Sequence, residues 1–272
     1  MTLKTAMSSP DAPASAVLPD YGVAGTLRAC LRLAVILAWI FLNIPLQIVF
    51  CLLRLPVRFT FPHFFHRIIT RVFMHMKIEV RGTPSTAKPT LFLSNHLSYA
   101  DIPVMSAVLA TSFVSRAEVA NWPLLGLLAK LQHTVFVERR ARHQVHEQND
   151  DLRRFLAVGN NLVLFPEGTS TNGLQVLPFK SSLIQGIFEL GETVVLQPVS
   201  LACLNTDGSQ HLYPWYGDMG FPEHAWPFLK VPRFHMRITF HAPLKAGQFS
   251  DRKALADQAY KEVINAEAGV RP

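Results

Sequence analysis

The sequence has few cysteines, and they do not form a recognisable pattern. Three occur among 272 residues, at Cys30, Cys51 and Cys203, each far from the others. An odd number of isolated cysteines excludes a small disulfide-stapled fold and provides no zinc motif. A Gly-x-Ser-x-Gly segment, which presents the nucleophilic serine of many lipases and thioesterases, is also missing. The sequence therefore argues against a serine hydrolase.

Charged side chains are scarce, and positive ones predominate. They make up 17% of the residues, the formal net charge is +7 at pH 7, and the pI is near 9.5. This excess permits nucleic-acid binding, yet the basic residues are not interleaved with aromatic residues as in an RNA- or DNA-binding module. Many of them flank an apolar segment instead. We therefore expect anionic membrane lipids as partners and no nucleic acid.

The apolar excess is concentrated near the N-terminus. The mean hydropathy is +0.21, and the longest apolar run extends over Leu33–Leu53. About 20 such residues are enough to span a bilayer. Asn43, Pro45 and Gln47 interrupt the run, and a proline bends a helix and frees a backbone carbonyl. The pattern predicts either a kinked span or a segment that enters one leaflet and returns.

The chain divides into three parts. Residues 1–26 are predicted to be a flexible tail, residues 27–78 a helical membrane anchor, and residues 79–272 a single folded domain. The apolar run begins far from Met1 and lacks a convincing cleavage site, so a signal peptide is not predicted. Within the anchor, Val57–Met76 alternates apolar and basic residues, as in an interfacial amphipathic helix. His63 and His66 have metal-binding spacing, but no acidic or thiol partner is near in sequence, so no metal site is predicted.

Short apolar runs alternate with helical patterns through the rest of the chain. The predicted strands are at about 77–81, 90–94, 111–115, 133–137, 161–165, 194–200 and 235–241. The predicted helices are near 100–110, 122–132, 143–157, 180–190 and 251–267. This alternation predicts an α/β fold with a mostly parallel central sheet flanked by helices, preceded by the membrane-embedded helical segment.

His96 and Asp101 form the first candidate site, in the run Asn95-His-Leu-Ser-Tyr-Ala-Asp101. On one continuous helix they would point about 140° apart. If His96 lies in a turn and Asp101 in the first turn of the following helix, the carboxylate can reach the imidazole. A carboxylate on one ring nitrogen increases the basicity of the other, which can then take a proton from a hydroxyl. On spacing alone, the alternative is that His96 and Asp101 form a hydrogen-bonded surface or core pair without a catalytic role.

The second candidate site is Phe165-Pro-Glu-Gly-Thr-Ser170, which follows the short apolar run 163–165. Gly168 allows a close backbone approach to a ligand. Backbone N–H groups and the hydroxyls of Thr169 and Ser170 can receive phosphate or alkoxide oxygens in such a turn. In an open α/β sheet, ligand sites collect beyond the carboxyl ends of the strands, so His96 and Glu167 are expected to face one crevice.

These two motifs resemble the first and third sequence blocks of the glycerolipid acyltransferases of the bacterial 1-acyl-glycerol-3-phosphate acyltransferase type. A second block is similar to Thr134-Val-Phe-Val-Glu-Arg139, and a fourth to Val194-Val-Leu-Gln-Pro-Val199. The chain departs from the family at His133, usually glycine, and at Glu138, more often aspartate. The resemblance covers roughly residues 60–245.

The resemblance implies transfer of a fatty acyl group from a thioester to a lysolipid hydroxyl, with His96 as general base oriented by Asp101. It implies that the acceptor's polar head is positioned by a set of further residues: Asn95, Arg139, Glu167, Gly168, Thr169, Ser170 and Lys180. Arg116 is a further cation that can meet phosphate. No cofactor and no metal are implied. The donor is acyl-CoA or acyl carrier protein, and the enzyme is expected at the bacterial inner membrane with its catalytic domain on the cytoplasmic side.

Two acceptors fit the resemblance. Arg139 suits the phosphomonoester of 1-acyl-glycerol 3-phosphate, and this acceptor is preferred. The stretches 116–126, 131–136 and 215–219 are similar to lyso-ornithine lipid acyltransferases, which acylate a 3-hydroxyacyl amino-acid lipid. A non-catalytic lipid-binding membrane protein is the alternative of another class, because it would keep the apolar and basic segments without a competent dyad.

Overall fold

The computed structural model describes residues 18–137, 152–188 and 190–268, in which a central sheet is covered by helices on both faces. The described strands are β1 (Lys77–Arg81), β2 (Thr90–Ser94), β3 (Ser112–Arg116), β4 (Val135–Val137), β5 (Leu162–Leu164), β6 (Val195–Cys203), β7 (His235–Phe240) and β8 (Leu244–Lys245). The described α-helices are α1 (Gly22–Leu52), α2 (Phe61–Ile68), α3 (Asp101–Ser106), α4 (Leu125–Leu131), α5 (152–157), α6 (Gln185–Phe188), α7 (Phe221–Lys230) and α8 (Arg252–Ala268).

The predicted, mostly parallel sheet is confirmed. The strand order is β1-β7-β6-β2-β5-β3-β4, with β8 paired to β6. From β6 to β4 every neighbouring pair is parallel, whereas β7 runs antiparallel to β6 and parallel to β1. Strands β2 and β5 are direct neighbours, so the two segments that follow them, with His96 and Glu167, leave the same edge of the sheet.

Strand β2 shows why the sheet is buried on both sides. All five residues of Thr-Leu-Phe-Leu-Ser are buried. Because successive side chains of a strand point to opposite faces, Phe92 joins one core and Leu91 and Leu93 join the other. The Phe92 core includes residues of α3 and α7, and the opposite core includes residues of α5 and α8. A continuous apolar run is what a strand covered on both faces requires.

Some elements differ from the sequence prediction. Helix α7 was not predicted, and it contains two prolines: Pro222 in the first turn, where its missing N–H costs nothing, and Pro227 in the interior. Strand β6 continues to Cys203, beyond the predicted 194–200, and Pro198 lies in its interior. On one side β6 pairs first with β8 and then with β7, and Pro198 falls in the gap between them. The predicted amphipathic helix over Val57–Met76 is interrupted by a π-helical turn at Ile69–Phe73.

The membrane anchor begins with one long helix. Helix α1 starts at Gly22, so residues 22–26, predicted to belong to the tail, are helical, and it continues through Pro45 to Leu52 without a break. It is long and apolar enough to cross a membrane. Its buried residues fall on one stripe, which includes the polar side chains Arg32, Asn43 and Gln47. The exposed face carries large apolar side chains, among them Phe41 and Leu42, so the helix is polar inside and apolar outside.

Arg32 ties α1 to the folded domain. Its guanidinium is almost fully buried and donates to five backbone carbonyls, those of Phe73, Met74, Leu229, Val231 and Pro232, over distances of 2.5 to 3.1 Å. These carbonyls belong to the end of the anchor and to the end of α7. A single side chain therefore joins three separate segments.

We expect Arg32→Leu to lower the free energy of unfolding by about 3 kcal/mol, because it leaves several buried carbonyls without a donor. Thermal unfolding of the full chain in detergent measures the change. Arg28→Leu is the matched control, since Arg28 donates only to the Lys230 carbonyl. Equal melting temperatures for the two variants would contradict the role assigned to Arg32.

Candidate active site

The structure brings His96 and Asp101 into contact in the way that their spacing predicts. His96 lies in the turn after β2, and Asp101 is the first residue of α3. The His96 Nδ1 atom lies 2.8 Å from Asp101 Oδ2. Because an ionised carboxylate only accepts hydrogen bonds, Nδ1 carries a proton, and in the neutral imidazole Nε2 then keeps its lone pair.

Asp101 is fully buried and is held by four donors. Besides His96, the backbone N–H groups of Leu97 and Ser98 donate to Oδ2 over 2.7 and 2.9 Å. The hydroxyl of Tyr213 donates to Oδ1 over 2.9 Å. These bonds satisfy the buried carboxylate and fix its orientation toward the imidazole.

Sequence reasoning missed Tyr213. It lies 112 residues from Asp101, and no local pattern marks it as part of the site. Burial raises the pKa of Tyr213 well above its usual value, and the neighbouring Asp101 carboxylate raises it further. The hydroxyl therefore stays protonated and keeps donating to Asp101 throughout the physiological pH range.

The imidazole of His96 remains accessible on its other side. Its side chain is 22% exposed, and its ring stacks on Phe165 with centroids 4.1 Å apart and planes inclined by 16°. Among the described residues, Nε2 has no hydrogen-bond partner. A hydroxyl group arriving from outside can therefore reach the unprotonated nitrogen.

Glu167 and Asn95 hold the backbone around the dyad. Glu167 is fully buried; Oε1 accepts the His96 N–H and Oε2 accepts the Leu177 N–H, each over 2.7 Å. Asn95, also buried, exchanges two hydrogen bonds with the backbone of Leu201 in β6. These contacts join the segments that follow β2 and β5 to each other and to β6. Both side chains thus face the protein interior, although the family resemblance implies that they position the acceptor.

In the remaining residues of the Pro-Glu-Gly turn, some polar groups have a hydrogen-bond partner among the described residues and others do not. Gly168 has a φ of +77°, which glycine adopts without strain, and its N–H donates to the Phe165 carbonyl. Thr169 is exposed, and the Ser170 hydroxyl donates to the Trp215 carbonyl. Within the described residues, the backbone N–H groups of Thr169 and Ser170 have no acceptor.

Two of the predicted cations lie beside this turn. Arg116 Nη2 donates to the Gly168 carbonyl over 2.9 Å, so Arg116 supports the turn itself. Lys180 has an exposed side chain, and its backbone N–H donates to the Pro166 carbonyl. Arg139 and Glu138 lie outside the described residues. His133 has a φ of +59°, which explains why glycine suits that position elsewhere in the family.

A cluster of aromatic rings adjoins the turn that carries the dyad. Tyr99 contacts Trp215, with ring centroids 5.5 Å apart, and Phe221 at 5.0 Å. Trp122 packs against Trp215 at 6.0 Å. Trp215 is bonded directly to the dyad turn, because its backbone N–H donates to the Leu97 carbonyl. Trp122 and Phe221 remain partly exposed, so the aromatic cluster presents apolar surface to the outside.

Metal-binding side chains do not converge in the described part of the chain, where no group of three or more His, Cys, Asp or Glu residues is placed to hold an ion. His63 contacts the Ser106 carbonyl. Burial, together with the neighbouring His63, lowers the pKa of His66 to about 3, so His66 is neutral at physiological pH.

Comparison with known proteins identifies the family. The model of the acyltransferase family matches residues 77–202, which include both motifs. A lyso-ornithine lipid O-acyltransferase of Brucella abortus is 37% identical over 85% of this chain and 91% of its own length. The chain belongs to the acyltransferase family. A 1-acyl-sn-glycerol-3-phosphate acyltransferase of Neisseria meningitidis is 32% identical over 67% of this acyltransferase and 71% of its own length.

The fold of this acyltransferase is also found in a solved structure. The crystal structure of the 1-acyl-sn-glycerophosphate acyltransferase PlsC from Thermotoga maritima superposes with a TM-score of 0.70. The match covers 93% of this chain and 99% of that protein at 20% identity. It confirms the predicted α/β architecture with its preceding N-terminal helix.

We expect Glu167→Gln to destabilise this acyltransferase by about 2 kcal/mol, since the new amide group must face a backbone N–H and both oxygens of Glu167 are used as acceptors. Thermal unfolding measures the loss. Glu118→Gln, at an exposed position, makes the same chemical change and should leave the melting temperature unaltered. If Glu167→Gln melted at the same temperature as the unsubstituted protein, the carboxylate would not be what holds the two segments together.

Proposed function

We propose that this acyltransferase moves a fatty acyl group from an acyl thioester, acyl-CoA or acyl carrier protein, to the hydroxyl of a lysolipid, with His96 as general base. One observation carries the proposal: the His96 imidazole is held by Asp101 on Nδ1 and is open at Nε2, beside the Pro-Glu-Gly turn. No protein nucleophile is required, because the thiolate of the donor is a good leaving group.

The chemistry proceeds in two steps. The acceptor oxygen attacks the thioester carbonyl carbon while Nε2 of His96 takes the hydroxyl proton, which gives a tetrahedral oxyanion and an imidazolium. Asp101 stabilises that imidazolium, as in other His-Asp pairs. The carbon–sulfur bond then breaks, and the imidazolium returns its proton to the departing sulfur. The products are the new ester and the free thiol.

The oxyanion requires donors that are not already engaged. The N–H of Gly168 is used within its own turn, so it does not serve this purpose. The N–H groups of Thr169 and Ser170 have no acceptor among the described residues and lie in the turn that Glu167 holds against His96. We assign the oxyanion to these two groups, because preorganised backbone donors are the usual means of stabilising such charge.

Helix α1 supports attachment to one leaflet of the membrane. Arg28 near its start bonds to Lys230 of α7, and Gln47 near its end bonds to Leu131 of α4. These positions are separated by roughly 28 Å along the helix, nearly the thickness of the hydrocarbon core. Since both contact the same domain, α1 lies alongside that domain with its apolar face in lipid. Both ends then stay on one side, which we take to be the cytoplasmic side of the inner membrane.

The acceptor we favour is a lyso-ornithine lipid. Its reacting hydroxyl sits on a fatty chain, and the rings of Tyr99, Trp122 and Trp215 offer an apolar surface beside the dyad. The lyso-ornithine lipid O-acyltransferase of Brucella abortus aligns with 85% of the chain, a larger share than the 67% for the Neisseria meningitidis 1-acyl-sn-glycerol-3-phosphate acyltransferase. The segment 215–219, similar to that class in sequence, supplies Trp215.

The second candidate acceptor is 1-acyl-glycerol 3-phosphate, which the sequence alone favours. Arg139 lies in the block that resembles the phosphate-binding block of the family. An arginine is suited to a phosphomonoester because its planar fork can make two parallel hydrogen bonds.

We expect His96→Ala to reduce acyl transfer by roughly 10²- to 10⁴-fold, the usual contribution of a general base. Single-turnover assays with radiolabelled acyl-CoA and acyl carrier protein donors measure the rate, and flotation with vesicles checks that the variant still binds membranes. His235→Ala, in β7 away from the dyad, is the control and should retain most activity. Normal turnover by His96→Ala would rule out His96 as the general base.

The choice of acceptor is tested with the purified full chain, a labelled acyl donor, and each lysolipid at equal concentration in the same micelles. We expect kcat/KM for lyso-ornithine lipid to exceed that for 1-acyl-glycerol 3-phosphate by at least tenfold. The reverse order would establish the second candidate. Failure to acylate either lipid, with intact vesicle binding, would support a non-catalytic lipid-binding protein.

A further inference from the structure

A basic cavity lies near the ends of the strands opposite to those that the dyad follows. Its volume is about 510 Å³, and its lining includes Arg54, Arg58, Arg154 and His133. His133 precedes β4, and Asn160, also in the lining, precedes β5. The cavity therefore lies near the amino ends of parallel strands, whereas His96 and Glu167 follow the carboxyl ends of theirs. We call it the basic cavity below.

Arg54 and Arg58 concentrate positive charge at the basic cavity. None of its described lining residues is acidic. The side chains of Arg54 and Arg58 form no hydrogen bond or ion pair with a described residue. The guanidinium of Arg58 lies 4.7 Å from the centroid of the Phe59 ring, which leaves the edge of the guanidinium free to donate. Gathering guanidinium groups in one cavity is unfavourable unless an anion joins them.

His133 adds no further charge. Burial lowers the pKa of His133, and the positive charge of Arg58 lowers it again. The ring packs on Phe59 with centroids 4.6 Å apart and contributes an apolar wall. The charge of the cavity is thus carried by arginines, whose forked donors match the oxygens of a phosphate group.

The position of the cavity identifies the source of that phosphate. Arg54 and Arg58 follow the end of α1, and the residues between and before them are apolar and exposed: Leu52 at 76%, Leu53 at 65%, and Leu55 and Val57 at nearly 40% each. Such side chains belong in lipid, and arginines directly beside them lie at the level of the head groups. Binding of a soluble phosphate compound would not account for the exposed apolar side chains beside the arginines.

We propose that the basic cavity binds the phosphate head group of an anionic membrane lipid through Arg54 and Arg58, as a site separate from the active site. The bound lipid fixes the end of α1 against the membrane surface. The site makes no contact with His96, so it does not depend on the reaction or the acceptor assigned above.

The test measures binding of the full chain to vesicles of phosphatidylcholine alone and of phosphatidylcholine with 30% phosphatidylglycerol. We expect Arg54→Gln/Arg58→Gln to weaken binding to the anionic vesicles by roughly 25-fold, about fivefold per arginine. Binding to the neutral vesicles should change by less than twofold. Arg54→Lys/Arg58→Lys keeps the charge and should recover most of the loss, which also checks that the fold tolerates substitution.

Arg233→Gln/Lys253→Gln removes the same net charge from exposed positions outside the lining of the basic cavity and should weaken binding less than threefold. Equal losses for the two pairs would overturn the proposal, since non-specific charge would then explain the effect. An unchanged affinity for the Arg54/Arg58 pair would also overturn it. Inorganic phosphate at 10 mM, compared with sodium chloride of equal ionic strength, should not compete; specific competition would indicate a site for free phosphate and overturn the lipid assignment.

Acyl transfer in detergent micelles, without anionic lipid, is measured in parallel. We expect the Arg54/Arg58 glutamine pair to match the unsubstituted protein there. This readout separates the two proposals: absence of acyl transfer in every variant, with the predicted pattern of vesicle binding, would end the proposed reaction and leave the lipid site intact.

Discussion

The buried carboxylate of Asp101 is the constraint on which the active site depends. A negative charge in a protein interior is costly unless several donors compensate it, and here the donors come from three places: the imidazole of His96, two backbone N–H groups of the same turn, and the hydroxyl of Tyr213. Satisfying the charge therefore fixes the turn after β2, the start of α3 and the segment before α7. The same bonds that stabilise the fold set the tautomer of His96.

A second carboxylate repeats this arrangement at the neighbouring strand. Glu167 uses both oxygens on backbone N–H groups, one of them that of His96. The two motifs are thus parts of one hydrogen-bonded structure, in which Asp101 orients the imidazole and Glu167 holds the turn that bears it against the Pro-Glu-Gly turn. Nε2 of His96 and the N–H groups of Thr169 and Ser170 have no partner among the described residues, and the proposed reaction uses these groups.

The proposed attachment of the domain to the membrane rests on the reversed polarity of α1. Arg32 and Gln47 face inward, where backbone carbonyls accept their hydrogen bonds, and apolar side chains such as Phe41 and Leu42 face outward. In lipid, an outward apolar face is favourable and a polar group must find a partner within the protein. Gln47, one of the polar residues that interrupt the apolar run, therefore also attaches the helix to the domain, as does Arg32 just before the run.

Much of this was accessible from the sequence. The apolar segment, the α/β alternation and the contact between His96 and Asp101 depend on periodicity or on spacings of a few residues, which local geometry determines. Helix α7 escaped because Pro222 and Pro227 argue against a helix, and packing against α1 and the core overrides that local preference.

The sequence by itself indicated the groups to which we assign the chemistry and the segment that is apolar enough for a membrane, since residue type and short-range pattern suffice for both. Only the tertiary structure decided that Tyr213 supports Asp101, that Glu167 faces the interior, and that arginines gather beyond the end of α1. Those contacts join residues far apart in the chain, and their existence depends on how the strands and helices pack, which no local pattern records.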